Sequence, residues 1–278
     1  MELSIPEQNA PVFDWLKSLA NVRTAIHLGC LKQPFKKALQ TASRLGAQGV
    51  EIDVRSMLRP EELSDTGRRQ LKKMMSDLNL KVAGIRFPTR RGYDVVQDLE
   101  RRIDATKSAM SFAYSLGASV VINAVGEVPE DVECAEYAQL KASLSDLASY
   151  GAHIGAMLAC ETGSEPVERL AGLLGSLSEQ AIGIAFNPGN LIINDYLQDD
   201  SIRQAASWTL AVIARDGVRD LARGRGLEVP LGQGSAEIPE ILGVLEERRY
   251  DGWFHLEASD SVHAAAELSN AIAFLGEL

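Results

Sequence analysis

Two glutamates each end a short apolar run. The stretch "IGAMLACE" (154–161) ends in Glu161, and "GWFHLEA" (252–258) carries Glu257 one residue from its end. A carboxylate at the end of an apolar strand is costly to bury unless it is paired or bound to a metal. Two carboxylates that face one space could move protons at a carbon atom or hold a divalent cation. The pair is therefore the first candidate for a catalytic site.

Two asparagines flank a tight corner in "GIAFNPGNLI" (183–192). Asn187 ends a buried apolar run, and Asn190 follows the Pro-Gly dipeptide. An amide cannot act as a base, and it is a weaker metal ligand than a carboxylate. It can donate hydrogen bonds, which suits contact with a hydroxylated ligand.

Eight β-rich apolar runs alternate with helical patterns along the chain. In the helical segment 65–79, apolar residues recur with the spacing i, i+3, i+4, i+7. Alternating strands and helices predict a parallel sheet, and eight units predict an α/β fold, a (β/α)8 TIM barrel formed by one domain, 1–278. The open doubly wound sheet is the alternative, but no GxGxxG follows the first strand. The predicted strands are 23–29, 49–54, 81–87, 119–125, 154–161, 182–187, 210–216 and 252–258.

In such a barrel, polar side chains at the carboxyl ends of the strands line the site. Residues two apart on a strand share a face, so His255 lies on the same face as Glu257. Around the two glutamates we expect substrate-binding residues at Arg86, Asn123, Asn190, Arg215 and His255. The polar residues earlier in the first two strands are interpreted as a buried polar layer deep in the barrel: His27, Glu51 and Asp53.

Composition excludes several classes of function. The net charge is −10, which argues against a nucleic-acid partner. Three cysteines without a CxxC pair indicate reduced thiols and a cytoplasmic location. Residues 1–17 lack the pattern of a signal peptide, and no apolar run is long enough for a membrane span. The expected partner is a small carbohydrate-like substrate, and an oligomer remains open.

Three stretches resemble the sugar-phosphate isomerase/epimerase superfamily, the xylose-isomerase-like TIM barrels. They are "LGAQGVEI" (45–52), "MLACETG" (157–163) and "VPLGQGSAEIPEILGVLEERRYDGWFHLEAS" (229–259). Their order and spacing match the family's second strand, fifth strand and closing segment. The resemblance extends over nearly the whole chain.

The resemblance implies one divalent metal, such as Mn, Mg or Zn, held by residues on strands five to eight. It makes Glu161 and Glu257 metal ligands that also transfer protons. On strand six the family's Asp-Pro-Gly-His is replaced by the sequence from Asn187 to Asn190, and on strand seven Ile213 stands where a histidine is usual. We therefore expect a degenerate metal site at Glu161, Asn187 and Glu257 that is weak or vacant.

Three hypotheses of function follow. The first is an isomerase or epimerase that transfers a proton at the carbon next to a carbonyl of a small sugar or polyol. The second is a catalytically inactive barrel that binds a sugar-like ligand or a protein partner. The third, an apurinic endonuclease, needs a histidine-rich zinc site and a DNA-binding face, which four histidines and the acidic charge oppose. Retention of Glu161 and Glu257 slightly favours the first.

Overall fold

Eight parallel strands close into a barrel in the computed structural model, which describes residues 22–222, 224–259 and 262–278. Each barrel strand pairs with its neighbours along the chain, and the first and last barrel strands pair to complete the circle. The predicted (β/α)8 TIM barrel is confirmed. Residues 1–21, Arg223, Asp260 and Ser261 lie outside the described residues.

The elements follow the predicted alternation. The strands are β1 Thr24–His27, β2 Gly49–Asp53, β3 Lys81–Arg86, β4 Val120–Asn123, β5 Met157–Glu161, β6 Ile182–Phe186, β7 Thr209–Ala214, β8 Asp216–Val218, β9 Leu227–Val229 and β10 Phe254–Leu256. The α-helices are α1 Phe35–Arg44, α2 Asp65–Asp77, α3 Leu99–Leu116, α4 Ala135–Ile154, α5 Val167–Gly175, α6 Pro188–Ile193, α7 Ser201–Ala205, α8 Ile238–Glu247 and α9 Ala264–Glu277. None of the described helices is long and apolar enough to cross a membrane.

Each of the eight predicted strands differs from the structure by one to three residues at one end or both, and two of these differences involve a neighbouring element. The fifth strand begins at Met157, because α4 runs on to Ile154 and Gly155 ends it in the left-handed conformation, with φ of 81°. The seventh strand ends at Ala214. Asp216 begins β8, which pairs antiparallel with β9 in a hairpin outside the barrel that the sequence reading did not anticipate.

The barrel interior changes from apolar to ionic along its axis. A small apolar cluster fills its middle: Val120, Ile122, Ala159, Ala185, Ala211 and Ile213. Two charged or titratable side chains, Glu51 and His255, are buried beside this cluster with 0% and 1% exposure. Gly84 leaves room for His255, because a Cβ there would lie 2.9 Å from the imidazole Cε1. The barrel thus supplies a rigid floor for charged groups at its carboxyl end.

A buried glutamate ties together two loops at this end. Glu165, between β5 and α5, is 2% exposed, and its Oε2 accepts the N–H of Val128 at 3.1 Å. Burial is the largest cause that raises the pKa of Glu165 to about 7. The loops after β4 and β5 therefore meet at a carboxyl group that resists ionisation.

Stability should change with pH through this residue. The folded pKa of Glu165 lies above the ordinary value, so its contribution is present at low pH and is lost as the pH rises through about 7. Relative to the wild type, Glu165→Gln should gain on the order of 2 kcal/mol in free energy of unfolding between pH 5 and pH 8. Urea denaturation at both pH values measures this change. Glu133→Gln, at an exposed position in the loop after β4, is the control, and equal pH dependence in both variants would contradict the expectation.

Candidate active site

Arg86, the last residue of β3, gathers three carboxylates at the carboxyl end of the barrel. Its Nε donates to Glu51 Oε1 at 2.6 Å, and Nη1 donates to Glu161 Oε2 at 2.8 Å. Nη2 donates to Glu257 Oε1. The Arg86 side chain is 13% exposed, so these charge-assisted bonds are shielded from solvent. One guanidinium thereby joins β2, β5 and the end of β10.

Two asparagines that follow β6, Asn187 and Asn190, hold one of these carboxylates. Nδ2 of Asn187 donates to Glu161 Oε1 at 2.7 Å, and Nδ2 of Asn190 donates to the same oxygen at 3.2 Å. Oδ1 of Asn187 accepts the N–H of Asn190 at 3.0 Å and so caps the short helix α6. The amides are hydrogen-bond donors as expected, but the group that receives their hydrogen bonds is Glu161.

Glu257 is less firmly held than Glu161. Among the described hydrogen bonds, its Oε2 accepts none, and Nε of Arg215 lies 3.8 Å from this oxygen. Arg215 is itself paired with Glu228 on β9, with Nε 2.9 Å from Oε1, and its Nη1 donates to Asn190 Oδ1 at 3.0 Å. Glu257 therefore keeps one carboxylate oxygen for another partner.

Beneath the guanidinium, Glu51 lies between two imidazoles. Nδ1 of His27 is 2.8 Å from its Oε1, and Nδ1 of His255 is 2.6 Å from its Oε2. Burial alone would raise the pKa of Glu51, but the charge of Arg86 and contact with His255 place it well below its usual value. Burial lowers the pKa of His27, yet hydrogen bonding and attraction to Glu51 raise it above its ordinary value. The floor of the site is thus a fixed, ionised carboxylate.

Two further polar residues lie apart from this cluster. Asn123 is buried, its Oδ1 accepts the N–H of Thr89 at 3.1 Å, and its Nδ2 donates to Tyr93 Oη at 2.8 Å. Asp53 accepts the N–H groups of Arg55 and Ser56 in the loop after β2. In the described hydrogen bonds, both residues order loops rather than contact the glutamates.

Several solved structures share this architecture. A xylose isomerase domain protein from Planctomyces limnophilus has a TM-score of 0.78 at 22% identity, over 86% of this chain and 91% of that one. A xylose isomerase-like TIM barrel protein from Mycobacterium smegmatis, in complex with magnesium, has a TM-score of 0.73 at 16% identity, over 92% and 95%. A D-psicose 3-epimerase, solved in the presence of D-fructose, has a TM-score of 0.70 at 14% identity, over 91% and 98%. At these identities the likeness establishes the fold alone.

The sequence itself decides the family. The model of the family described as Xylose isomerase-like TIM barrel matches residues 39–278. This chain belongs to that family. The resemblance found in the sequence is therefore confirmed, although no curated protein sequence matches the chain.

Membership of the xylose isomerase-like family raises the question of a divalent metal. By spacing, His27, Glu51 and Glu257 form a group whose potential ligand atoms lie within 4.8 Å of one another. However, Glu51 and Glu257 both accept hydrogen bonds from Arg86, whose positive charge repels a second cation.

The ligand positions that the family resemblance implies are also unsuited to a metal ion. Glu161 accepts from Arg86, and Oδ1 of Asn187 is committed to the N–H of Asn190. Ile213 is fully buried inside the barrel and has no ligand atom. As they stand, these residues fit a guanidinium ion and do not fit a divalent metal ion.

Sequence reasoning missed two ionic partners in the site. The sequence predicts that Glu51 belongs to a deep polar layer, but in the structure it is also an ion-pair partner of Arg86. Glu228 was not singled out, yet it pairs with Arg215 across the β8–β9 hairpin region. Arg86 itself could have indicated the first of these partners, because a buried arginine at the carboxyl end of a barrel strand is costly unless carboxylates lie nearby.

Asp216, beside Arg215, supports the rim of the site. It is 1% exposed, and its carboxylate accepts the N–H groups of Gly232, Gly234 and Ala236 at 2.8–3.1 Å. It therefore shapes the segment between β9 and α8, which leads towards the strand that carries Glu257.

Removal of this carboxylate should loosen that segment. We expect Asp216→Ala to lower the free energy of unfolding by about 3 kcal/mol, because several buried N–H groups lose a charged acceptor. Amide hydrogen exchange at residues 232–236 should accelerate together with the loss of stability in urea. Asp220→Ala changes an exposed aspartate nearby and should have little effect. Unaltered exchange in Asp216→Ala would show that the segment is held by other contacts.

Proposed function

We propose that the protein is an isomerase or epimerase that transfers a proton at the carbon next to a carbonyl of a small sugar or polyol. The observation that carries this proposal is the convergence of Glu161 and Glu257 on the two terminal nitrogens of Arg86. Two carboxylates therefore lie against the same group of N–H donors at the carboxyl end of the barrel. Proton transfer beside a carbonyl needs a base near the carbon and a donor near the oxygen.

The two glutamates have different surroundings, which suggests different tasks. Glu161 accepts three hydrogen bonds through its two oxygens, so it is fixed and has little capacity to carry a proton. Glu257 has an oxygen without a described hydrogen bond. We assign Glu257 as the base and Glu161 as the group that fixes Arg86 and the two asparagines.

This assignment favours isomerisation over epimerisation. A single base can take a proton from one carbon and return it to the adjacent carbon on the same face. Epimerisation by two bases would need Glu161 to exchange a proton, which would cost one of its three hydrogen bonds. Arg215 and Asn190, at the edge of the cluster, are proposed to contact the hydroxyl groups of the substrate.

A catalytically inactive barrel that binds a sugar-like ligand is the second candidate. The observation that favours it is the extent of internal pairing, because Arg86 and Arg215 both form ion pairs with glutamates of the protein.

The free cysteines Cys30, Cys134 and Cys160 support the proposal of a cytoplasmic location for either function.

Deuterium exchange separates the two candidates. The protein is incubated in D₂O with a panel of aldoses, ketoses and their phosphates, and loss of C–H signal is followed by NMR. We expect exchange in at least one panel member, with Glu257→Gln reducing its rate by about 100-fold or more. Glu161→Gln should weaken substrate binding as well as the rate, because Arg86 loses one of its three carboxylate partners.

Glu136→Gln, at an exposed position on α4, is the matched control and should exchange at the wild-type rate. Saturation-transfer NMR on the same panel reports binding. A panel member that binds but shows no C–H exchange would support the inactive barrel instead. Exchange that persists in Glu257→Gln would refute the assignment of the base.

A further inference from the structure

We infer that the guanidinium of Arg86 takes the place of a divalent cation in this protein, so that the site carries a built-in cation and excludes a metal ion. The first support is position. The carboxylates of the two candidate ligand groups, Glu51, Glu161 and Glu257, all direct an oxygen at this one group.

The second support is charge balance at Asn187. A guanidinium carries one positive charge where a divalent ion carries two. Three carboxylates around Arg86 already exceed its charge, and His27 and His255 lie against only one of them, Glu51. An aspartate in place of Asn187 would add a fourth carboxylate beside Glu161. The neutral amide instead donates a hydrogen bond to Glu161, so Asn187 and Arg86 form a matched pair.

The third support is that the positive charge of Arg86 is permanent. An arginine side chain stays protonated in proteins, and its bonds here are buried. Burial by itself would lower the pKa of Arg86, but the three carboxylates raise it well above its usual range. Withdrawal of the guanidinium would leave three carboxylates without their shared cation, which is strongly unfavourable.

The guanidinium also offers chemistry. It has five N–H donors, of which three are directed at carboxylates in the described hydrogen bonds. The others can donate to an oxygen on which negative charge develops. This catalytic part rests on the proposed function, whereas replacement of the metal stands on the contacts alone.

Metal titration tests the inference without any substrate. Chelator-treated wild type and variants are titrated with Mn²⁺ and Zn²⁺ by calorimetry. The wild type should show no stoichiometric binding. Arg86→Ala should bind Mn²⁺ at least about tenfold more tightly than the wild type, because three carboxylates lose their shared cation. Glu257→Gln in the Arg86→Ala background should cancel this gain, because Glu257 belongs to both candidate ligand groups.

Two further variants make the test specific. Arg215→Ala removes the neighbouring arginine but leaves Arg86 in place, so it should gain no metal affinity. Asn187→Asp alone should also gain none, whereas Arg86→Ala with Asn187→Asp should bind most tightly. Binding by Asn187→Asp alone, at the affinity of the double variant, would show that a missing ligand and not Arg86 excludes the metal, and would overturn the inference.

Arg86→Met is the second variant in case Arg86→Ala does not fold, because its apolar stem fills part of the same space. A rise of its melting temperature with Mn²⁺, greater than that of the wild type, would support the inference. Tight stoichiometric binding by the wild type would overturn it. So would equal affinities for wild type, Arg86→Ala and Arg86→Met. Substrate exchange is not used in any of these measurements, so failure of the proposed isomerase activity would remain a separate result.

Discussion

The ionic contact between Arg86 and three glutamates is the constraint on which the site depends. It brings together residues from β2, β3, β5 and the end of β10, which lie around more than half of the barrel. Removing charges from water is costly, and the cost is offset only if each charge has a close and well-oriented partner. The asparagines beside the cluster donate hydrogen bonds to Glu161, and the imidazoles of His27 and His255 lie within 2.8 Å of Glu51. The arrangement therefore explains why neutral amides stand at the end of strand six.

The barrel could be predicted from the sequence because its determinants are local. The apolar runs of the strands and the 3.6-residue period of helices such as α2 appear in short windows of sequence. The start of the fifth strand and the end of the seventh were predicted wrongly, because both depend on neighbouring elements. Ile154 looks like the start of a strand, yet the helix before it continues until Gly155 can adopt a positive φ. The sequence predicts that Asp216 ends a strand, yet in the structure its carboxylate accepts the N–H of Gly234 from another segment of the chain.

The site could be predicted only in part from the sequence, because its contacts join distant parts of the chain. Glu161 and Glu257 were singled out from the cost of burying a carboxylate at a strand end. Their partner Arg86 is separated from them by 75 and 171 positions, and from Glu51 by 35. Only closure of the barrel places these residues together. Asn187 illustrates the limit, because its role as a donor was expected but its acceptor could not be identified before the fold was known.

The shape of the guanidinium has a consequence for stereochemistry. A metal ion is close to spherical and accepts a new ligand from many directions. A guanidinium is flat, and its N–H groups point outward within one plane. The three glutamates fix that plane relative to the barrel axis. Any oxygen that completes the contact must approach edge-on, so the orientation of a bound molecule is restricted before its own hydroxyl groups are recognised.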